Sequence, residues 1–137
     1  MKAIGIDIDK KRAICFAVEI NSQGDVKNIT GKQKFIEVKE DQNNSEIRTF
    51  LKEIQNYFNL INPDRIAILT RQTKGRFSAS PYSFKLEGLI QCYNKIEIEF
   101  ISPQTITAFY KKNEITLDFD NKYQENAMRL ANYILLS

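Results

Sequence analysis

The sequence predicts one α/β domain over residues 1–137, in which helices cover a mixed, five-stranded β-sheet. Apolar runs of strand length come first in the chain, and helical patterns alternate with short apolar runs after them. The length of 137 residues suits a single domain. The predicted element order is β-β-β-α-β-α-β-α-α, and strands followed by alternating helices and strands favour a mixed sheet.

Three strands are expected in the first part of the chain. Lys2–Ile8 is nearly continuously apolar, as in a strand covered on both faces, although Asp7 interrupts it. A polar turn at 9–12 separates it from a second apolar strand, Ala13–Ile20, so the two form a hairpin. A third strand is expected somewhere within Val26–Val38.

Helices and strands alternate in the rest of the chain. Asn43 and Glu46 have the spacing of a capping box, and apolar residues then recur at helical spacing over Ser45–Asn59. Arg65–Thr70 is a short apolar strand, and its order after a helix indicates a parallel crossover. The remaining predicted elements are a helix after Ser80-Pro81, a strand over 96–100, a short helix from Ser102-Pro103 to Lys112, and a last helix over Gln124–Leu136.

The composition excludes several classes of chemistry. The chain contains no histidine, which removes Ser-His-Asp and Cys-His nucleophile pairs, histidine-ligated zinc and histidine general bases. Cys15 and Cys92 lie far apart in apolar contexts and form no C-x-x-C motif, so we expect buried free thiols. Any chemistry must use carboxylates, lysine, tyrosine, hydroxyl groups or a metal bound through oxygen.

The first residues and the charge bear on location and partners. The opening MKAIGIDIDKKRA has acidic residues and a charged turn where a signal peptide would carry its apolar block, and no apolar run approaches the ~18 residues of a membrane span. We therefore expect a cytoplasmic protein with no membrane association. The net charge of +3 permits nucleic acid as a partner without arguing for it.

A carboxylate in the first strand is the first candidate functional group. An ionised side chain such as Asp7 is costly in an apolar strand unless it is paired, bound to a metal or at the open end of the sheet. It is therefore either a metal-binding residue or a strand-ending residue that hydrogen-bonds to the turn. Asp9 shares a strand face with Asp7 if the strand extends that far, although a plain turn aspartate is the favoured interpretation.

The element order resembles that of the RNase H-like superfamily, and local features resemble its RuvC branch. The opening K-A-I-G-I-D places Asp7 where that superfamily keeps a metal-binding aspartate. The stretch from Ile101-Ser102-Pro103 through Lys111-Lys112 resembles the RuvC segment in which a strand ends at a proline and enters a short basic helix. The resemblance implies an RNase H-like fold and a phosphodiester-cleaving site that uses Mg²⁺ or Mn²⁺.

The sequence also resembles a small family of uncharacterised bacterial proteins. Its pattern is T-K-G-[KR]-F, then F-K-L-E, I-Q and S-P, and the resemblance covers nearly the whole chain. The matching residues are Thr73–Phe77, Phe84–Glu87, Ile90-Gln91 and Ser102-Pro103, together with Gln124-Glu125. This resemblance brings no activity with it.

The RuvC resemblance implies three acidic positions, because two hard cations need three or four convergent carboxylates. Asp7 fills the first, as catalytic and metal-binding residue. At the second the chain has Thr70, a site-lining hydroxyl, and no acid. At the third, a rotation of 100° per residue directs Gln124 towards the sheet as a site-lining amide, and turns Glu125, the other catalytic candidate, towards solvent and Arg129. This incomplete set favours a one-metal or metal-free site.

A basic loop is the other candidate. Glycine lets a backbone approach a ligand, and clustered cations contact phosphates. Phe77 and Tyr82 are candidates for stacking on bases. The alternative is a solvated loop of no particular function, with Phe77 in the core. The predicted nucleic-acid- or phosphate-binding residues are Arg71, Lys74, Gly75, Arg76 and Lys85.

Two functions follow. The leading hypothesis is a RuvC-like protein that associates with DNA or RNA, either as a weak metal-dependent nuclease or as a catalytically impaired binder. It requires Asp7 and the basic loop to meet at one pocket. The alternative is a protein-interaction or homodimer module on the same scaffold, with exposed apolar area on the last helix around Met128 and Tyr133.

Overall fold

The computed structural model describes residues 1–70, 80–114 and 118–137. Within them the chain forms six strands, four α-helices and one 3₁₀ turn at Lys122–Gln124. The strands are β1 (Lys2–Asp9), β2 (Arg12–Ile20), β3 (Val26–Asn28), β4 (Phe35–Glu37), β5 (Arg65–Leu69) and β6 (Ile98–Ile101). The helices are α1 (Asn44–Ile61), α2 (Pro81–Gln91), α3 (Pro103–Lys112) and α4 (Glu125–Leu136).

The strands form one mixed sheet in the order β3-β2-β1-β5-β6, and β4 also pairs with β2. β1 and β2 are an antiparallel hairpin, whereas β1, β5 and β6 run parallel. The RNase H-like fold class predicted from the sequence is confirmed, with parallel crossovers through α1 and α2.

The predicted third strand is present as two short strands instead of one, which makes six strands where five were expected. β3 pairs with the end of β2 and β4 with its beginning. Between them the Thr30 hydroxyl, instead of a backbone carbonyl, accepts the hydrogen bond from the Ala17 amide, at 3.0 Å. Gly31 follows with a φ of 77°, a left-handed conformation that suits glycine and interrupts the ladder.

Helices cover both faces of the sheet, because consecutive strand residues point to opposite sides. Ile4, Ile6 and Ile8 of β1 belong to the core on the side of α1 and α2. The alternating residue Ala3 belongs to the second core, together with apolar residues of α4. Asp7 has the same parity as Ala3 and therefore lies on the α4 face.

α4 approaches β1 closely at Gly5. A Cβ atom at this position would lie 2.4 Å from the Ala127 carbonyl oxygen and 2.6 Å from the Ala131 nitrogen, both backbone atoms of α4. Only a residue without a side chain fits there. The absence of that side chain lets α4 rest directly on the strand, and the first turn of α4 consequently lies beside Asp7.

Arg65 connects the opposite end of α4 to the sheet. Its guanidinium donates two hydrogen bonds to the Glu99 carboxylate, at 2.8 and 2.6 Å, and one to the Ile134 carbonyl oxygen, at 2.6 Å. These contacts join β5, β6 and the last turn of α4. A cation at the carboxyl end of a helix also interacts favourably with the helix dipole.

The helix ends otherwise follow the sequence signals. The Asn43 side chain accepts hydrogen bonds from the amides of Ser45 and Glu46, as the capping-box spacing predicts. α2 and α3 both begin with proline. None of the described helices has the length and apolar character needed to cross a membrane.

Candidate functional site

Several elements end or begin at one edge of the sheet. β1, β5 and β6 are parallel, so their carboxyl ends lie together. Ile6 pairs with Ile68, which places Asp7 and Thr70 at the same edge. The Thr70 amide donates to the Ile101 carbonyl oxygen at 2.9 Å. Ligands of open α/β sheets bind at this kind of edge, which we call the carboxyl edge.

Asp7 is buried at the carboxyl edge, with 6% of its surface exposed. Its Oδ2 atom accepts a hydrogen bond from the Asn126 amide of α4, at 3.5 Å. An open depression of about 400 Å³ lies next to this pair, and Asp7, Asp9, Lys122 and Glu125 line it. The structure therefore brings together Asp7 and Glu125, the two residues predicted to be catalytic. We call this depression the Asp7 depression.

The structure gives Gln124 a role other than the predicted one. Gln124 is 1% exposed, and its Oε1 atom accepts hydrogen bonds from the amides of Asp120 and Asn121, at 3.1 and 2.9 Å. It caps the 3₁₀ turn and does not line the Asp7 depression. The rotation of 100° per residue fails here, because the helix starts only at Glu125 and the 3₁₀ turn before it is more tightly wound.

Glu125 is half-buried and lines the Asp7 depression. Its carboxylate accepts a hydrogen bond from Lys122 Nζ at 2.6 Å, and this contact lowers the pKa of Glu125 below its usual value. The expected pairing with Arg129 is replaced by this one, although the charge of Arg129 lowers the same pKa slightly. The Arg129 guanidinium lies over the Tyr110 ring, 4.5 Å from its centroid.

The other predicted residues have different positions. Thr70 is half-buried and follows β5 at the carboxyl edge. Lys85 donates to the carbonyl oxygen and the carboxylate of Asp41, at 2.9 and 3.1 Å, and thereby joins α2 to the segment before α1. Its role in phosphate binding stays a prediction. Arg71, Lys74, Gly75 and Arg76 lie outside the described residues, as does Phe77.

An arginine–aromatic cluster beside the depression was not predicted. The Arg12 guanidinium lies over the rings of Phe35 and Tyr123, 5.1 and 4.6 Å from their centroids, and pairs with Asp9 Oδ2 at 3.1 Å. The Asp9–Arg12 pair closes the β1–β2 turn. The sequence contains one signal for it: opposite charges on either side of a two-residue turn.

Asn126 and Lys122 were also missed, and no sequence signal singles them out. Both lie around the start of α4, whose exact first residue decides which side chains face Asp7. The residue that contacts Asp7 from α4 is therefore an amide, where the RuvC resemblance implies an acid.

The described residues do not fit a two-metal centre. Among residues 1–70, 80–114 and 118–137, no group of three acidic or cysteine side chains is placed to hold a metal ion. Of the carboxylates in the depression, Asp9 is paired with Arg12 and Glu125 with Lys122. Hard cations such as Mg²⁺ require several convergent oxygens. Metal binding by Asp7 stays a prediction.

The apolar surface expected around Met128 is absent. Met128 is 5% exposed and belongs to the core between α4 and the sheet. Tyr133 is half-buried and packs edge-on against Phe109, with 5.1 Å between ring centroids. The buried stripe of α4 includes Met128 and is wider than the periodicity indicated. A homodimer through another surface stays a prediction.

Comparisons with known proteins agree with this architecture. A model of the family described as "Protein of unknown function (DUF3010)" matches residues 1–134. No curated protein matches the sequence. Among solved structures, RuvC from Thermus thermophilus is similar with a TM-score of 0.73 and 10% identity, over 96% of this chain and 91% of RuvC.

Two other solved structures show the same likeness. T. thermophilus RuvC in complex with a Holliday junction substrate gives a TM-score of 0.67 at 10% identity, over 96% of this chain and 90% of that chain. The fowlpox virus Holliday junction resolvase gives a TM-score of 0.57 at 16% identity, over 98% of this chain and 97% of that chain. At these identities the likeness shows the fold. The predicted RuvC-like fold and family of unknown function are confirmed, while the T-K-G-[KR]-F pattern and the bacterial origin stay predictions.

Proposed function

The chain belongs to the DUF3010 family, whose description assigns no activity, and from its RuvC-like fold and the site at its carboxyl edge we propose that it is a nucleic-acid-binding protein with little or no nuclease activity. The fold neighbours include resolvases solved with Holliday junction DNA. We propose DNA or RNA as the partner, with branched DNA as the first substrate to test.

One observation carries the proposal: the basic loop begins and ends at the carboxyl edge. Thr70 precedes the loop and follows β5 at this edge. Ser80 follows the loop and lines a second depression together with Asp9 and Lys11 of the β1–β2 turn. The segment between them contains Arg71, Lys74 and Arg76 and no acidic residue.

The loop matters because the acids and cations of the described edge offset one another. Asp9 pairs with Arg12, and Glu125 pairs with Lys122. Apart from Lys10 and Lys11 of the β1–β2 turn, these residues leave little net charge for a phosphate backbone. The three loop cations therefore supply most of the positive charge that the proposal requires, since phosphate neutralisation dominates nucleic-acid affinity.

We expect replacement of all three loop cations by glutamine (R71Q, K74Q, R76Q) to abolish most of the binding to a four-way DNA junction at low salt. Each lost phosphate contact should reduce the slope of log K against log salt concentration by about 0.9. Fluorescence anisotropy with labelled junction, duplex and single-stranded DNA and RNA measures both quantities between 50 and 200 mM salt, over which the Debye length falls from about 14 to about 7 Å.

A triple variant with the same change in charge is the control. Lys27 lies on β3, Lys52 on α1 and Lys95 before β6, all exposed and away from the carboxyl edge. K27Q, K52Q, K95Q should bind nearly as well as the wild type. Absence of binding by the wild type to every nucleic acid at low salt, or equal weakening by both triple variants, would contradict the proposal.

The partners of the carboxylates in the Asp7 depression are the reason to propose little nuclease activity. The side chain beside Asp7 is an amide, where a two-metal site would need a second carboxylate. Asp9 is paired with Arg12, and Glu125 is paired with Lys122. The predicted Mg²⁺ or Mn²⁺ at Asp7 is accordingly proposed as at most one weakly held ion. No cleavage step is assigned to it.

We expect Asn126→Asp to increase the affinity of the Asp7 depression for a divalent metal ion. The substitution keeps the shape of the side chain and places a second carboxylate about where the Asn126 amide contacts Asp7. Without metal, the two like charges should lower the free energy of unfolding. With Mn²⁺ at a hundredfold excess over Kd, the variant should be stabilised by about 2.7 kcal/mol.

Thermal unfolding with and without Mn²⁺ measures this effect, and the double variant Asp7→Asn, Asn126→Asp is the control because it restores a single carboxylate. A strong stabilisation of the wild type by Mn²⁺ would show instead that the native site already holds metal, and would argue for the nuclease alternative.

We also propose that the protein works in the cytoplasm. Both cysteines are free, which suits a reducing compartment. Cys15 is buried as expected, whereas Cys92 is exposed because it follows the last residue of α2. Burial raises the pKa of the Cys15 thiol to about 12, so this thiol is unreactive.

A further inference from the structure

A second depression adjoins the Asp7 depression and shares Asp9 with it. It has a volume of about 470 Å³ and lies between the β1–β2 turn and the first turn of α2. Lys10, Lys11, Ser80 and Tyr82 are among the residues that line it. We call it the turn depression. Its combination of an aromatic ring with adjacent cations matches the two parts of a nucleotide.

We propose that the turn depression binds one unpaired nucleotide of a nucleic acid, with the base stacked on Tyr82 and the phosphate held by Lys10 and Lys11. This inference rests on the proposed function and specifies the kind of nucleic acid that the protein selects. The preferred ligand is a strand or junction with an unpaired base.

Tyr82 provides the stacking surface. The residue is 36% exposed, and the Lys11 ammonium lies over its ring, 4.7 Å from the centroid. The ring is therefore partly exposed, and the flexible Lys11 side chain that lies over it can move aside for a ligand. Stacking of a base on an aromatic ring is stronger than a cation–π contact at an exposed site, so a base displaces the ammonium.

The displaced ammonium remains close to the ligand's phosphate. Within the part of the chain that the structure describes, Lys11 Nζ also donates a long hydrogen bond, 3.4 Å, to the Lys39 carbonyl oxygen. Lys10 is exposed at the tip of the turn, with a φ of 56° that is uncommon for a residue other than glycine. The tight turn places two ammonium groups at the rim of one depression.

The acidic residues of the wall do not oppose this assignment. Asp9 is paired with Arg12 at 3.1 Å. Glu37 is the cross-strand neighbour of Arg12 in the β2–β4 ladder. Arg12 thus offsets one of the two carboxylates, and the ammonium groups of Lys10 and Lys11 outnumber the other, so the wall keeps a net positive charge for a phosphate.

The requirement for an unpaired base follows from the size of the depression. A base inside a duplex is stacked on both sides, and its extraction costs free energy that an already unpaired base does not need. A single ring in a small depression receives one base. The inference therefore predicts discrimination between unpaired and paired DNA, which the charge of the loop alone does not provide.

The test compares Tyr82→Leu with the wild type on two DNA duplexes that differ only by a single-stranded overhang carrying 2-aminopurine. We expect wild-type binding to quench the fluorescence of the overhang base. Tyr82→Leu should bind the overhang DNA roughly 5- to 100-fold more weakly and the blunt duplex unchanged. Tyr82→Phe, which keeps the ring, should behave as the wild type.

Phe84→Leu is the matched control, because Phe84 is an exposed aromatic residue on the same helix that does not line the turn depression. It should leave both affinities unchanged. If Tyr82→Leu binds the overhang DNA as well as the wild type does, the inference is wrong while the proposed function stands. If Tyr82→Leu weakens both DNAs equally, the inference is also wrong. If the wild type binds neither DNA, the inference is wrong, and the anisotropy measurements with the junction and RNA decide whether the proposed function fails with it.

Discussion

Gly5→Ala should lower the free energy of unfolding by roughly 3 kcal/mol, at the upper end of the usual cost of overpacking a core. The added Cβ would lie 2.4 Å from the Ala127 carbonyl oxygen and 2.6 Å from the Ala131 nitrogen. Both atoms belong to the backbone of α4, so no side chain can rotate to make room. The helix must move away from β1, and urea unfolding followed by circular dichroism measures the cost.

Gly88→Ala is the matched control for this prediction. Gly88 is an exposed residue within α2, and a Cβ added there meets nothing within 4 Å. Alanine in place of glycine in a helix should raise the free energy of unfolding by about 1 kcal/mol. The same chemical change is thus expected to have opposite signs at the two positions. Equal effects would mean that α4 does not press against β1.

Arg65→Met should cost roughly 2–3 kcal/mol of stability, as expected when a charged group loses its hydrogen-bonding partner. The variant leaves the Glu99 carboxylate and the Ile134 carbonyl oxygen without the guanidinium that contacts them. Both Arg65 and Glu99 are only partly exposed, so water compensates incompletely. Arg48→Met, at an exposed position on α1, removes the same charge and should change the stability by little.

The difference in the free energy of unfolding between the wild type and Arg65→Met should depend on pH. Hydrogen bonds from Arg65 lower the pKa of Glu99 below its ordinary value of 4.5. The stabilisation by the Arg65–Glu99 pair is therefore complete at pH values above the pKa of Glu99 in the unfolded chain. It is lost as the pH falls through the lower pKa of Glu99 in the folded state. Urea unfolding at pH 7 and pH 3 should show the gap between the two proteins narrowing. A gap of constant size would mean that the pair contributes little.

Most of the fold could be predicted because the apolar periodicity of β1, β2, α1 and β5 is strong and reflects burial directly. The division of the third strand could not, since it depends on the Thr30 hydroxyl taking a ladder hydrogen bond and on the conformation of Gly31. Neither produces a periodic pattern. Short strands paired at their ends have too few residues to show one.

The candidate site was predictable only where it lies on a strand. Asp7 stands out because an acidic residue interrupts an apolar run, and its period-two position fixes the face that it occupies. Residues of α4 depend instead on where the helix begins. Gln124 belongs to the 3₁₀ turn at Lys122–Gln124 and caps it, a role that helical periodicity does not indicate.

The contact of α4 with Gly5 limits how far substitutions in the apolar core can alter the geometry of the site. The helix and the strand meet backbone against backbone, so their separation does not depend on the rotamers of the surrounding apolar side chains. A conservative substitution in that layer, such as Ile134→Val, opens a small void without altering how far Asn126 stands from Asp7. The geometry of the Asp7–Asn126 pair therefore depends little on substitutions in the neighbouring core.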